Sequence, residues 1–455
     1  MKEPGAILLV ACYELGHQPL AVAWPLAFLE RQGYAPNVMD VAVEPFDAAQ
    51  VARARLVAIS VPMHTALRLG VGVAERIRKI NPTCHVCFYG LYATLNADWL
   101  LAACADSVLG GEIEPQLVEL ADRLARGEST PGAAAPGLTK LAFPTPSRNA
   151  LPSLKKYAKL ERDGRLELVG YVEGSRGCKH LCRHCPIPPV YGGRFFVVPR
   201  DVVLADVRQL AAAGAQHITF GDPDFLNGPG HAMALARALH AEFPELTFDI
   251  TTKVEHLLRH RRWLPELAGL GCAFVVSAVE SLSDTVLGHL DKGHTRADIV
   301  EVLDLTRAAG LVLRPTWVAF TPWTTLDDYR EMLAFVARER LVDHIDPVQY
   351  SIRLLVPPGS LLLRSDAMRP HLGELVEDAF HYRWTHPDPR ADELHADVSA
   401  LVADAAERKE DPEQTFARVV DLAEAAAGSV ADRAVSFTRE PNGRRPPRLT
   451  EPWFC

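Results

Sequence analysis

Three cysteines stand in one short run, GSRGCKHLCRHCPIPP, as Cys178, Cys182 and Cys185. They follow directly on an apolar strand pattern, LVGYVE (168–173), which places them on a strand-to-helix loop. Three thiolates on one short loop hold a soft metal, and they match three corners of a cubane iron–sulfur cluster whose fourth iron stays open to a ligand. The alternative is structural zinc, with His180 or His184 completing a Cys3His set. Zinc sites more often use paired CxxC knuckles distant in sequence. The lone CxxC, Cys84–Cys87, lies on a strand pattern of another region.

The alternation around this loop fixes an α/β fold. Residues 1–126 carry apolar runs at 6–11, 37–42, 55–60, 85–90 and 106–111, with helical patterns near 20–33, 64–79, 95–103 and 114–126. Near-continuous apolar strands alternating with helices predict a doubly wound, Rossmann-like parallel sheet. Ligands of such sheets sit at the carboxyl ends of the strands. Those ends hold Cys12, Glu14 and His17, and also Met63 and His64; Cys12 and His17 are candidate catalytic residues on a polar wall facing the second domain. The competing reading is ordinary loop polarity beside a buried thiol. Residues 127–160 contain the Pro/Gly/Ala/Thr-rich run of a linker.

A second alternation spans 161–365, with strand patterns at 168–173, 217–222, 247–252, 274–279, 311–320 and 348–356. Six βα units predict a sheet curled toward a partial (β/α)6 barrel, with chemistry at its C-terminal mouth. The helix after Arg200 buries Val203, Val207 and Leu210 on one face and stops at Gly214. Residues 366–430 read as helices without strands. Residues 431–455 read as an extended tail with five arginines and four prolines, ending in Cys455. A terminal thiol is either an incidental residue on a loose end or a group delivered to the active site.

Composition narrows the function classes. A formal net charge of −9 over 455 residues offers no global basic field for nucleic acid or anionic membrane. The longest apolar stretches, 6–11 and 19–29, fall short of the ~18 residues of a membrane span. Nine cysteines are too sparse for a disulfide scaffold. The first residues read as a strand rather than a leader, so a cytoplasmic enzyme is expected.

The cysteine spacing at the first strand end of a six-unit barrel resembles the radical S-adenosylmethionine superfamily over about 165–365. The resemblance implies a [4Fe–4S] cluster on Cys178, Cys182 and Cys185 whose open iron binds the amino and carboxylate groups of S-adenosylmethionine. It also implies reductive cleavage of a carbon–sulfur bond, fed by a reductant such as flavodoxin or ferredoxin. Gly221-Asp222-Pro223-Asp224 stands where the family has a Gly-Gly-Glu-like turn, so Asp222 or Asp224 would hold the amino group. Ala278-Val279-Glu280-Ser281 resembles the family's fourth-strand end, and Glu280 and Ser281 would face the ribose or methionine portion. Asp291-Lys292-Gly293-His294-Thr295 resembles the element that follows; its plain alternative is a helix stop. Lys253, Glu255, His256, Arg314, Gln349 and Arg353 complete the set of candidates for cofactor or substrate. Arg314 and Arg353 lie inside strand patterns, where a charge is costly unless paired, so an inward anion-binding role is expected.

A doubly wound domain before such a barrel resembles the cobalamin-binding group of the superfamily, with Gly90-Leu91-Tyr92 and Gly110-Gly111-Glu112 at glycine turns that admit a flat macrocycle. The D-x-H-x-x-G signature of a lower axial histidine is absent; His17 stands at a different spacing. The runs YELGHQPL, SVPMHTA, FYGLYA, GDPDFLNGPGHA, TTKVEHLLRHR and DPVQYSIRLLVPPGS resemble the CUAEP/CCAEP-tail radical S-adenosylmethionine proteins almost end to end. Members finish in Cys-Cys-Ala-Glu-Pro or carry selenocysteine as the second residue. This implies that the recorded end at Cys455 is a selenocysteine codon read as stop; a UAA or UAG codon after position 455 would exclude it. A more distant resemblance, to tail-cysteine enzymes that transfer the 3-amino-3-carboxypropyl group to arsenite, implies alkylation of a soft atom (As, S or Se). The expected function is therefore modification of a small molecule by a radical S-adenosylmethionine enzyme. A cobalamin-dependent radical methyltransferase and a non-enzymatic zinc-binding protein are the alternatives.

Overall fold

The computed structural model describes residues 1–130, 132–428 and 445–451. The N-terminal sheet consists of β1 (Ile7–Ala11), β2 (Asn37–Asp40), β3 (Leu56–Ser60), β4 (His85–Tyr89) and β5 (Ser107–Leu109). All are parallel, in the order β2-β1-β3-β4-β5. Every residue of ILLVA is buried because helices cover both faces. Leu8 and Val10 enter one apolar cluster with Leu67, Ala74 and Ile77 of helix His64–Ile80. Ile7, Leu9 and Ala11 enter the other, with helices Leu20–Arg31 and Glu114–Arg126, and that cluster continues into the barrel.

The segment expected as a linker runs first along the edge of β5. Ala133 bridges Val108 and Gly137 bridges Gly111. Gly111 has φ +72°, and a Cβ there would lie 2.3 Å from the Gly137 carbonyl oxygen, so only glycine admits this approach. A Cβ on Gly110 would strike Thr94, and one on Gly90 would press on the Val61 backbone. The side of each glycine where a Cβ would stand thus faces protein, while Gly90, Leu91 and Gly111 also line a cavity at the strand ends.

The second sheet holds β6 (Lys159–Arg162), β7 (Arg165–Val172), β10 (His217–Phe220), β11 (Thr247–Thr251), β12 (Cys272–Glu280) and β13 (Val312–Trp317). A small ribbon, β8 (Ser175–Gly177) with β9 (Phe195–Val197), brackets the cysteine loop. Strands β7, β10, β11, β12 and β13 are parallel neighbours and form the curled half-barrel; β6 lies antiparallel on β7. The sixth strand expected at 348–356 is replaced by a 3₁₀ turn, Pro347–Ser351, and one bridge between Arg353 and Phe320. The side chain of Gln349, expected near cofactor or substrate, instead accepts the Trp317 amide at 2.9 Å, and Tyr350 packs on Phe416.

The C-terminal region, expected to be wholly helical, contains a hairpin, β14 (Leu372–Val376) and β15 (His381–Trp384). Helices Pro389–Glu407 and Pro412–Ala426 then pack together beside helix Leu326–Arg338. Of the tail, 445–451 returns to the barrel: β16 (Arg448–Leu449) pairs antiparallel with β6. Among the described residues, no helix is long and apolar enough to cross a membrane.

Candidate functional site

Cys178, Cys182 and Cys185 lie on the loop that leaves β8. Gly177 turns the chain into that loop at φ +74°, with no room for a Cβ against the Arg194 carbonyl oxygen. The Cys185 amide donates to the Cys182 carbonyl at 3.2 Å, and the Lys179 amide donates to Asn227 Oδ1 at 3.3 Å. None of the three thiols is in a disulfide. Burial pushes Cys185 up to about 12, and its neighbours Cys182 and Cys178 push it the same way. Three soft donors near enough to oppose one another's ionisation, with an ammonium beside them, suit a cationic metal cluster that takes them as thiolates.

That ammonium is Lys292, whose Nζ lies 3.1 Å from Glu280 Oε1. Burial works against its charge, but Glu280 and the thiols Cys182 and Cys185 outweigh burial and raise its pKa. Glu280 sits where the β12–β13 register slips, at φ +66°, a left-handed conformation at a strand end and a mark of a constrained site. Burial pushes its carboxyl up, but Lys292 and His184 (Nε2 at 3.2 Å) hold it well below the usual range. Both belong to motifs the sequence shows, His184 there only as a candidate zinc ligand and Lys292 without an assigned role. Ser281 Oγ accepts the Ser283 amide at 3.1 Å and shapes the turn.

The acids after β10 serve two different purposes. Asp222 accepts from the Gly174 amide at 2.8 Å and from Ser175 Oγ at 2.5 Å, bracing the approach to the cysteines. Burial raises it to about 6. Asp224 accepts from Thr252 Oγ1 at 2.7 Å and the Leu226 amide at 3.1 Å, and stands 2.8 Å from His256 Nδ1. Burial works against its charge, but His180 and His256 hold it at about 2. His180, between the first two cysteines, touches His256 (Nε2 to Nε2, 3.3 Å) and Lys253 (Nζ to Nδ1, 3.1 Å). His180, Asp224 and His256 have the donor set of a metal site. The Lys253 ammonium donates to Nδ1 of His180, which puts the ring proton on Nε2, and the row, hydrogen-bonded from Lys253 to His256 and closed by the Asp224–His256 charge contact, braces the loop. Glu255 joins it 3.6 Å from Lys253.

The remaining candidates are dispersed. Cys12 is buried in the apolar core of the N-terminal sheet, not on a wall facing the barrel, and burial pushes its thiol to about 12. His17 does face the barrel: its ring stacks on Tyr171 at 4.5 Å, and burial lowers it to about 4. His64 Nε2 donates to the Ala379 carbonyl oxygen at 2.8 Å, under the hairpin. Arg314 lines the barrel cavity but is engaged by Asp346 at 3.2 Å and the Pro447 carbonyl at 3.3 Å. Arg353, expected to bind an anion, is taken up by Asp392 at 2.7 Å and lies 3.5 Å over the Trp384 ring. Cys455 falls outside the described residues.

Two cavities adjoin this ground. One, of about 230 Å³, lies inside the half-barrel among His17, Thr219, Asp249, Phe274 and Arg314, and Leu449 of β16 forms part of its wall. The other, of about 370 Å³, lies between the strand ends of the N-terminal sheet and the cysteine loop. Tyr171 borders both, its hydroxyl resting where a side chain on Gly221 would be. Arg176, two residues before Cys178, reaches across the second to Glu114 at 2.7 Å.

Residues 172–336 match the Radical SAM superfamily, so the chain carries a radical SAM domain, which implies a [4Fe–4S] cluster and S-adenosylmethionine. The ribosomal protein uS12 methylthiotransferase RimO of Phocaeicola vulgatus is 24% identical over 204 residues, 40% of this chain and 44% of that protein. The tRNA-2-methylthio-N(6)-dimethylallyladenosine synthase of Desulfosudis oleivorans is 28% identical over 200 residues, 42% of each chain. The chain thus spans less than half the length of these curated relatives. Among solved structures, the cobalamin-dependent S-adenosylmethionine radical enzyme OxsB, with aqua-cobalamin and S-adenosylmethionine bound, superposes with a TM-score of 0.68. That match has 15% identity and covers 88% of this chain and 67% of that one. The radical S-adenosylmethionine methyltransferase TsrM of Kitasatospora setae, with tryptophan and a SAM analogue bound, superposes with a TM-score of 0.67. It has 15% identity and covers 93% of this chain and 95% of that one. These two likenesses establish the fold, N-terminal sheet included.

Proposed function

We infer that the chain is a radical S-adenosylmethionine enzyme that modifies a small molecule held between the half-barrel and the N-terminal sheet. The observation that carries this reading is the meeting of Cys178, Cys182 and Cys185 with the Lys292–Glu280 pair at the mouth of the half-barrel. Cys178, Cys182 and Cys185 would hold a [4Fe–4S] cluster, which when bound would supply the electron for cleaving a carbon–sulfur bond of S-adenosylmethionine. The residues around it do the holding. Asp222 fixes the strand that delivers the cysteines, and the Asp224–His256–His180 row fixes the loop from behind. Lys292 balances negative charge at Cys182 and Cys185, and Glu280 keeps that ammonium in place. Glu280 and Ser281 remain the proposed contacts to S-adenosylmethionine, while Asp224 and Lys253 are committed to the row that braces the loop.

The test is anaerobic purification, iron and zinc analysis, then dithionite and S-adenosylmethionine with the nucleoside product read by mass spectrometry. 5′-Deoxyadenosine from an iron-bearing protein supports the reading, and loss of iron in Cys178→Ser, Cys182→Ser and Cys185→Ser locates the cluster. Methylthioadenosine instead favours aminocarboxypropyl transfer to a soft atom, with Cys455 as its proposed thiol. Support for a tail thiol is the course of 445–451, which ends with Glu451 accepting from Tyr13 Oη at 2.8 Å beside the Gly16 turn. A zinc protein without iron and without either nucleoside overturns both.

The second reading is a cobalamin-dependent radical methyltransferase. It is favoured by the OxsB and TsrM superpositions, which run through the N-terminal sheet as well as the barrel. Corrin absorbance in the purified protein decides between the two.

A further inference from the structure

The outer side of the cysteine loop carries an apolar residue that the fold leaves in solvent. Leu181, between Cys178 and Cys182, is 52% exposed, while Cys182, bonded to it in the chain, is buried. Leu181 lines an open depression of about 550 Å³ together with Arg183, Arg364, Asp291 and Asp366. Neither cavity described above is lined by Leu181 or Arg183, so this depression lies outside them. Its floor is preformed. The Arg183 amide donates to the Leu290 carbonyl at 2.9 Å, and the Arg183 carbonyl accepts from Ser360 Oγ at 3.4 Å. Ser360 in turn caps the 3₁₀ turn Leu361–Arg364.

The charge on this rim is unusual for the molecule. Elsewhere, exposed arginines such as Arg208, Arg237 and Arg261 are matched by a glutamate. Arg183 and Arg364 are exposed, and neither guanidinium has an ion-pair partner among the described residues. Of the two rim acids, Asp366 is already held by Arg369 at 2.7 Å. Burial lowers the His289 pKa, and Arg183 and His371 push it the same way, as a locally positive field does. The chain as a whole carries a formal charge of −9, so a positive patch around an exposed leucine is a local feature. An apolar centre with arginines at its rim is the composition of a contact surface.

We propose that this patch is the docking face of an acidic one-electron carrier protein, with Leu181 at the centre of the contact and Arg183 and Arg364 meeting the partner's carboxylates. The partner's identity rests on the radical S-adenosylmethionine reading. The carrier is oxidised by one electron, and the cluster on Cys178, Cys182 and Cys185 is reduced by one. Electron transfer falls steeply with distance, and Leu181 is one peptide bond from Cys182. A transient redox contact is small, under about 1,200 Å² in total, and two arginines around one apolar side chain suit that size. Opposite charge brings such partners together quickly and orients them.

The experiment uses the anaerobically purified full-length holoprotein and a flavodoxin as the acidic carrier. Binding of the oxidised flavodoxin is measured by thermophoresis, and nucleoside formation is followed with reduced flavodoxin below saturation and, separately, with dithionite. Dithionite is a small reductant that needs no docking face. The double variant Arg183→Glu with Arg364→Glu is expected to weaken flavodoxin binding about tenfold or more, and to slow the flavodoxin-driven reaction to match. The dithionite-driven reaction and the iron content are expected to stay unchanged. Leu181→Ser should weaken binding, whereas Leu166→Ser, a similarly exposed leucine on β7, should not. Raising salt from about 0.05 M to about 0.3 M should weaken binding severalfold, as the screening length contracts. Absence of binding, binding indifferent to the double variant, an equal loss with both reductants, or an equal effect of Leu166→Ser overturns the proposal. If the variants lose iron, deuterium exchange of the unaltered holoprotein decides: flavodoxin must protect 179–186 and 361–369, and protection elsewhere alone overturns it. The two readings fail separately. No nucleoside with dithionite sinks the radical reading, whereas nucleoside with dithionite but no binding at this patch sinks only the docking face.

Discussion

Lys292 and Glu280 show how a pair of side chains ties the half-barrel to the cysteine loop. Both are nearly buried, and breaking a buried pair by removing one partner costs about 3–5 kcal/mol, because the other charge is stranded. Lys292→Met is therefore expected to lower the urea midpoint sharply. The double variant Lys292→Met with Glu280→Gln should recover a large part of the loss, since no unpaired charge remains. Additive losses in the double variant would show that the two act independently. Glu14 carries a second residue-scale expectation. Its folded value of about 8 lies above the ordinary 4.5, so the folded state keeps a proton that the unfolded chain gives up. The native protein then loses stability as pH rises through that window, by up to about 1.4 kcal/mol per pH unit. Glu14→Gln lacks this titration and should gain on the native protein as pH climbs from 4.5 toward 8. A stability difference that stays flat between those limits would contradict it.

At the scale of elements, the tail strand β16 is the piece whose removal can be read most cleanly. Thr450 accepts the Lys159 amide at 2.9 Å and donates its own amide to the Lys159 carbonyl at 2.8 Å, while Arg448 reaches Glu161 at 2.9 Å. A chain ended after residue 444 leaves the outer edge of β6 unpaired. Its Lys159 amide should then exchange with deuterium much faster, while β10, β11 and β12 keep their protection. Unchanged exchange at Lys159 would mean that β16 is not seated in solution. The same scale shows what the sequence could disclose. Five N-terminal and five barrel strands were legible because their apolar runs are buried on both faces, and the cysteine loop because its spacing is local. The run VQYSIRLLV has strand propensity, yet Gln349 caps Trp317 and Tyr350 packs under Phe416, so tertiary contacts override it. The hairpin at 372–384 was hidden because its turn places Phe380, not glycine, at φ +56°. In the site, strand-end acids could be found by position. The Arg176–Glu114 contact spans 62 residues and leaves no pattern in the sequence.

Across the whole molecule the two α/β units share one core. The apolar cluster that holds Leu9 and Trp24 also holds Phe143, Val172, Phe220 and Val336, so one face of the N-terminal sheet shares its interior with the barrel, while the other face packs a cluster of its own. Arg148 pins the junction. Its guanidinium meets Asp206 of the barrel helix at 2.5 and 2.7 Å, the Tyr171 carbonyl of β7 at 2.7 Å and Gln18 of the N-terminal unit at 2.7 Å. A shared core makes independent melting of the halves unfavourable, since exposing one interior exposes the other. The expected calorimetric trace is a single transition for the unaltered chain, despite a length at which separate domain transitions are common. Arg148→Met strands Asp206 in an apolar setting and severs three links at once. It should lower the transition by the equivalent of about 3–5 kcal/mol without dividing it, because the shared apolar cluster remains. Two resolved transitions in the unaltered protein would show that the junction is only a contact between separate folding units. The cavity in front of the cysteine loop would then open and close with domain motion rather than stand preformed.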